Sequence, residues 1–462
     1  MALGRCHMVS AVRAGLSRLP FVALLMLAIM ALSFVFMMLC RYEQNRRNAG
    51  GAGSPQSSAV AYGEELPATG CFTKSITYTC IDAPGRETVS PVVWDDGWFF
   101  GDMRTYNHDL AKASSVLAAL AYSESSHYQE SYQTPPYMEN ALAELGFDEV
   151  STASYEYRSE VMDQMLNLVT QREDTVAYTL ARKRVTGADG STRSVILVSV
   201  RGSYGSEWLS NLKIEGVTPE SETALSEDQE TRYDHSGYVE AASEVSQAVA
   251  PWVRESHRRG DQVTLLLVGH SRGGAIANLV AAQADDELAA LAEGAQPQNG
   301  LELAAGDAVA GYTFASPGCT TSAHAHAARY GNIFNIANPA DLMPALPLAS
   351  WGYARYGVDM NLPAMGEEGF DTQFASMSSA YTELTGEEDP YDPEAAQAVR
   401  SVVSEVGAEV GSVDELVTPG GIAAVAQACA QHIDPTRILC GHYPSVYISW
   451  MYTIEADDLT LS

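Results

Sequence analysis

The sequence predicts an α/β fold: a mostly parallel sheet with helices on both faces. Short β-branched apolar runs alternate with stretches of helical spacing. The runs are apolar almost throughout, as strands covered on both faces must be. The 462 residues, 46% of them hydrophobic, suffice for a large core and exclude a disordered chain.

The elements follow in order. Residues 1–18 are a basic segment, and residues 1–50 hold six arginines against Glu43. Residues 19–39 are uncharged, interrupted only by Pro20 and Ser33. A helix of that length spans roughly 30 Å, so this is a transmembrane anchor or a long signal segment. Three arginines flank each side, which leaves the orientation open. Residues 40–65, rich in Gly, Ala and Ser, read as a flexible linker. Residues 66–462 then form the main domain. Residues 107–122 read as a helix. Residues 176–185 and 194–200 read as strands joined by a turn at 187–190. A helix at 239–257, a compact strand at 263–268 and a helix at 275–284 come next. Strands at 309–315 and 332–337 complete the alternation. Acidic stretches at 215–234, 285–307 and 359–434 interrupt it and read as solvated. The last has room for helices of its own, at 394–406 and 422–432, and reads as a helical cap over one end of the sheet.

Charge and cysteines narrow the function classes. With 58 acidic against 27 basic residues the net charge is −31, which argues against nucleic acid as partner. Beyond the leader, Cys71/Cys80 and Cys429/Cys440 are spaced to close short disulfide loops, as an exported body would allow. No Cys-x-x-Cys and no EF-hand spacing occurs, so no metal ligand set is assigned. His324 and His326 stand among alanines and do not alter that.

The chemistry concentrates at Gly269-His270-Ser271-Arg272-Gly273, between the 263–268 strand and a helix of small residues. In that context a sharp turn exposes a serine hydroxyl at the carboxyl edge of a sheet. Gly269 and Gly273 are needed because side chains there would clash with the neighbouring strand and helix. The helix N-terminus favours negative charge developing nearby. Such a serine needs a base and an orienting acid, in the order Ser, Asp, His. His442 stands in a Gly-His-Tyr-Pro loop and is the candidate base; His432, in a helical stretch, is the alternative. Asp341 follows the 332–337 strand and is the candidate acid, with Asp359 the alternative and a plain turn aspartate the bland reading. An oxyanion hole needs two donors. The N–H of Arg272 is one; Ser203, after a strand ending in Val200-Arg201-Gly202, is the other, unless that stretch is an ordinary turn.

Several blocks together resemble the class 3 (fungal-type) lipase family of the α/β-hydrolase superfamily. They are Val200-Arg201-Gly202-Ser203 with Ser206, Trp208 and Leu212; His235-Ser236-Gly237-Tyr238; the serine block through Gly274-Ala275; Tyr312 to Pro317; and Asn338 to Pro344 with Pro347 and 353–357. The resemblance covers about 107–357 and the surroundings of His442. It implies an α/β-hydrolase fold, Ser271 as nucleophile, Asp341 as acid, His442 as base, and Ser203 and Arg272 at the oxyanion hole. It also implies a structural His235, no cofactor, and a lipid or small acyl ester as substrate. Three departures stand out: Ser203 replaces threonine, Asn211 replaces aspartate, and the stretch from Asp341 to His442 is long. The expected protein is an extracytoplasmic ester hydrolase, membrane-anchored through its N-terminal segment or secreted. A non-catalytic binding protein on the same fold, and an acyltransferase or amidase with the same three residues, remain open alternatives.

Overall fold

The computed structural model describes residues 68–129, 132–155, 176–203, 236–295, 300–412, 415, 418–432 and 440–461. Leu66–Ser462 is one compact unit. The basic segment, the apolar stretch 19–39 and the linker lie outside the described residues. Among the described residues no helix is long and apolar enough to cross a membrane.

A hairpin comes first, β1 (Cys71–Thr79) paired antiparallel with β2 (Glu87–Asp95). Eight further strands make one sheet: β3 (Glu149–Ser151), β4 (Tyr178–Thr186), β5 (Thr192–Val200), β6 (Gln262–His270), β7 (Ala308–Phe314), β8 (Ile333–Ala337), β9 (Val358–Asn361) and β10 (Thr460–Leu461). Their spatial order is β10-β9-β8-β7-β6-β5-β4-β3. Strands β5 to β9 are parallel, and β4, β3 and β10 add antiparallel edges. This is the mostly parallel sheet that the apolar runs predict.

Alternation along the strands feeds two cores. Val195, Leu197, Leu266 and Val268 face one, where helix α1 (His108–Gln129), α2 (Tyr137–Glu144) and the hairpin pack. Ile196, Val198, Leu265 and Leu267 face the other, under α3 (Ser236–Arg258) and α4 (Arg272–Ala292). All eight side chains are fully buried. Each contributes about 1.5–3 kcal/mol of burial, which offsets the entropy of ordering the strands.

Three sequence expectations need correction. Cys71 and Cys80 cannot bridge, because they bracket the extended strand β1 and are both unbonded to sulfur. Nine residues at about 3.3 Å each separate them by roughly 30 Å, far beyond disulfide reach. The other pair is not testable in this way, since the Cys429 side chain lies outside the described residues. The stretch 285–307 is not simply a solvated interruption. Helix α4 runs on to Ala292, and Asp285 and Glu287 are buried in it. The stretch 359–434 is only partly a cap. It opens with β9, and its α5 (Phe370–Thr385) packs into the main core against the final helix α8 (Pro444–Thr453). The later turns of α6 (Ala395–Glu409) and α7 (Pro419–His432) form a small outer core, set on Leu342, Leu346, Leu348 and Trp351, while the first turns of α6 join the main core.

One buried ion pair ties the hairpin to the sheet. Lys183 of β4 and Asp96, just after β2, meet at 2.7 Å with both side chains buried. Asp96 also accepts from Gly70 N and Trp94 Nε1, and Lys183 donates to Leu145 O. Burial pushes the Lys183 ammonium below its usual pKa, against the pull of Asp96. Asp96→Ala strands that charge, so urea unfolding is expected to show a loss of about 3–5 kcal/mol. A loss under about 1 kcal/mol would remove the pair as a tie.

Asp285 generates a pH prediction. Burial raises its carboxyl from 3.8 to about 8, although Asn332 Nδ2 donates to it. Between those values the unfolded chain has released the proton and the folded chain still holds it. This group's contribution to stability therefore falls as pH rises through that window. Relative to wild type, Asp285→Asn is expected to gain stability progressively from pH 4 to pH 8 in parallel urea melts. Curves that stay parallel across the window would contradict the burial of an uncharged carboxyl.

Candidate active site

Strand β6 ends at His270, and the chain reverses into α4 through Ser271 at φ 58°, ψ −133°. A non-glycine residue in that region is strained, and its neighbours must hold it. They do so by close backbone approach. A Cβ at Gly269 would lie 2.2 Å from Gly273 O, and one at Gly273 would lie 2.2 Å from Val200 O. Ser271 N donates to Phe314 O of β7, and Gly274 N donates back to Ser271 O. The serine therefore sits at the carboxyl edge of the sheet, at the N-terminus of a 21-residue helix.

The loop after β5 lies alongside. A Cβ at Gly202 would fall 2.5 Å from the main-chain oxygen of His270 and 3.1 Å from Ser271 Cβ, so only glycine permits this approach. Ser203 follows and is buried. Arg201 fastens the loop by N–H donation to Ala177 O and from its guanidinium to Ser125 Oγ. Arg272 opens α4 beside Ser271 and is half-buried.

Asp341 follows β8, and His442 precedes α8. Their side chains meet, Nδ1 to Oδ2, at 2.7 Å, both fully buried. A carboxylate only accepts, so Nδ1 carries the proton and, in the neutral ring, Nε2 keeps the lone pair. Asp341 Oδ2 also accepts from Tyr447 Oη at 2.9 Å, and Oδ1 accepts from Met343 N at 2.9 Å. Asn338 clamps the two loops together. Its Nδ2 donates to Gly441 O, and its Oδ1 accepts from Ala340 N and Tyr391 Oη. The His442 ring centroid lies 4.7 Å from that of His270, the residue before Ser271.

The alternatives lie elsewhere. Asp359 is paired with Arg355 at 2.8 Å and also accepts from Asn335. His432 reaches Glu405 at 2.7 Å, between α7 and α6 on an exposed face. His235, Ser206, Trp208, Asn211 and Leu212 lie outside the described residues. Among the described residues no three His, Cys, Asp or Glu side chains converge as a metal site. His326 instead bonds Gly357 O. Sequence reasoning missed Asn338, Tyr391, Tyr447 and Tyr122 as supports. Asn338 alone carried a signal, standing three residues before the candidate acid.

Comparisons with known proteins bear on this arrangement. The family model for lipase (class 3) matches residues 197–351. Among solved structures, a deletion mutant of Rhizomucor miehei lipase with its propeptide aligns at 17% identity. That alignment covers 55% of this chain and 66% of the other, with TM-score 0.35. The native propeptide complex of that lipase aligns at 17% identity over 68% of this chain and 78% of its own, TM-score 0.35. A lipase from Rhizopus microsporus var. chinensis aligns at 14% identity over 67% and 84%, TM-score 0.33. Among curated proteins none matches. The resemblance read from the sequence is borne out by the family match: over residues 197–351, which hold Ser203, Ser271 and Asp341, this chain is like a class 3 lipase.

Proposed function

We propose that this chain is a serine hydrolase that cleaves carboxylic esters of lipids, of the triacylglycerol lipase or esterase type. The observation that supports it most is the buried His442–Asp341 pair beside the strained Ser271 turn. Ser271 Oγ attacks the acyl carbonyl while His442 Nε2 takes its proton, and Asp341 stabilises the imidazolium that results. The N–H groups of Ser203 and Arg272 hold the oxyanion, helped by the N-terminus of α4. The alcohol leaves with the proton from His442. Water, activated by the same base, then releases the acid from the acyl-enzyme. The class 3 lipase match supports the ester as substrate, because the three side chains alone would serve other acyl acceptors equally. The length of the uncharged stretch 19–39, that of a membrane anchor or a long signal segment, supports an extracytoplasmic body, anchored or released.

The test is hydrolysis of p-nitrophenyl esters from acetate to palmitate, with fluorophosphonate labelling in parallel. Ser271→Ala is expected to abolish both. Asp341→Ala is expected to keep the fold and lower kcat by roughly 10³–10⁴-fold, by loss of the imidazole orientation. A Ser271→Ala protein that still turns over ester at the wild-type rate ends this reading. Full activity in Asp341→Ala ends the role given to the acid.

A further inference from the structure

The proposed reaction uses Ser271, Asp341 and His442, but it leaves the fully buried His270 without a task. His270, the last residue of β6, stands in the nucleophile elbow, the sharp turn at Ser271, and faces the loop that carries His442. Its Nε2 lies 2.8 Å from the backbone carbonyl of His442, and its Nδ1 lies 2.9 Å from Tyr122 Oη on α1. The carbonyl only accepts, so Nε2 carries the proton. In the neutral ring Nδ1 must then accept, and the Tyr122 hydroxyl donates. Burial first, and the facing His442 second, push the His270 imidazolium well below its usual pKa, so the ring is neutral. The orientation of every proton in the chain from Tyr122 to His270 to His442 O follows from that.

The geometry fixes more than one loop. A Cβ at Gly202 would fall 2.2 Å from Tyr122 Oη and 2.5 Å from His270 O. The Tyr122 hydroxyl therefore lies where the Ser203 loop, the elbow and the base loop meet. The Tyr122 ring meets the His270 ring edge-on at 5.7 Å, and Tyr447 meets it on another side at 5.7 Å. Rings packed in this way leave the imidazole one orientation.

We propose that Tyr122 and His270 are positioning residues, a hydrogen-bonded relay that holds the backbone of His442 at a fixed offset from Ser271. The inference rests on the hydrolase reading above. Asn338 ties the same loop at Gly441, so the loop keeps a second restraint when the relay is cut. The relay sets where the His442 ring stands, and a small misplacement of a base costs rate more than binding.

The experiment measures kcat and KM for p-nitrophenyl butyrate on the full chain, with Tyr122→Phe, His270→Leu, His270→Gln and Ser271→Ala, and a thermal midpoint for each. Tyr122→Phe and His270→Leu are expected to lose about tenfold in kcat, the worth of one buried hydrogen bond, with KM within about twofold. His270→Gln is expected to regain most of that loss, because its amide N–H can donate to His442 O. Tyr122→Phe removes a single oxygen atom and serves as the readout if His270→Leu misfolds. Unchanged kcat in both variants overturns the relay, as does a change confined to KM or a His270→Gln no better than His270→Leu. A wild-type protein without turnover or fluorophosphonate labelling overturns the hydrolase reading and the relay with it. An active wild type, inactive Ser271→Ala and unimpaired relay variants overturn the relay alone.

Discussion

The structure depends on a steric constraint at one point: the reversal at Ser271, where three backbones pass with no room for side chains. Gly269 abuts Gly273, Gly273 abuts Val200, and Gly202 abuts His270. These contacts fix β5, β6 and α4 relative to one another, and they hold the serine at positive φ. Loss of one glycine cannot be absorbed by a side-chain rotation, because the opposing atoms are main-chain carbonyls. The strain at Ser271, of order 1–3 kcal/mol, is sustained by the fully buried sheet on which the turn sits. The core and the site are in this sense one object. The parallel strands supply a rigid edge, and the edge permits the unusual turn.

A second theme is how so acidic a chain treats its carboxyls. Several are spent on backbone amides inside the fold. Glu287 accepts from Leu301 N and Leu303 N, Asp307 accepts from Val263 N, and Glu124 accepts from Met138 N. They fasten a loop, the start of strand β6 and the start of helix α2, which is the alternative to leaving a buried N–H unsatisfied. Burial raises Glu124 to about 7 and Asp285 to about 8. The formal charge of −31 therefore overstates the charge of the folded molecule near neutrality. Asp341 takes a different set of donors: an imidazole N–H, a phenol and a backbone amide are all directed at it.

What could be read from the sequence follows from how local the cause is. The sheet strands at 263–268 and 309–315 were legible because burial on both faces writes continuous apolar runs. The elbow was legible because the close approach demands glycine at fixed offsets from the serine. Asp341 and His442 were legible only as candidates, from a strand end, a loop and the chain order; their alternatives Asp359 and His432 stayed open because nothing local joins residues 101 positions apart. The hairpin β1–β2 escaped notice because its alternation is blurred: Lys74, Thr88 and Ser90 stand on the core-facing side, and Val89 and Val93 on the exposed one. Helix α5 escaped too, because its buried positions, Phe370, Met377, Tyr381 and Leu384, lie scattered among polar residues. The run of Asp and Glu at 285–307 misled for a different reason. Charge was read as exposure, whereas Asp285 and Glu287 are buried inside α4.

The long passage from Asp341 to His442 is the departure that most endangered the assignment of the base, and the packing explains why it is tolerated. Loop-closure entropy grows only as the logarithm of length, so added residues cost little once the ends are held. The ends are held three times. Asn338 reaches Gly441 O, Tyr447 reaches both Asn338 N and Asp341, and Tyr391 returns from within the insertion to Asn338 Oδ1. Helix α5 adds a fourth restraint, because Tyr381 and Ser445 both donate to Asp82 beyond β1. The insertion thus enters and leaves through the residues that orient Asp341 and His442. Its outer part, α6 and α7, rests on Leu342 to Trp351, the stretch directly after the acid. The first turns of α6 join the main core instead, through Ala395, Ala396 and Val399, so the outer part is braced both on the stretch after Asp341 and on the body of the fold.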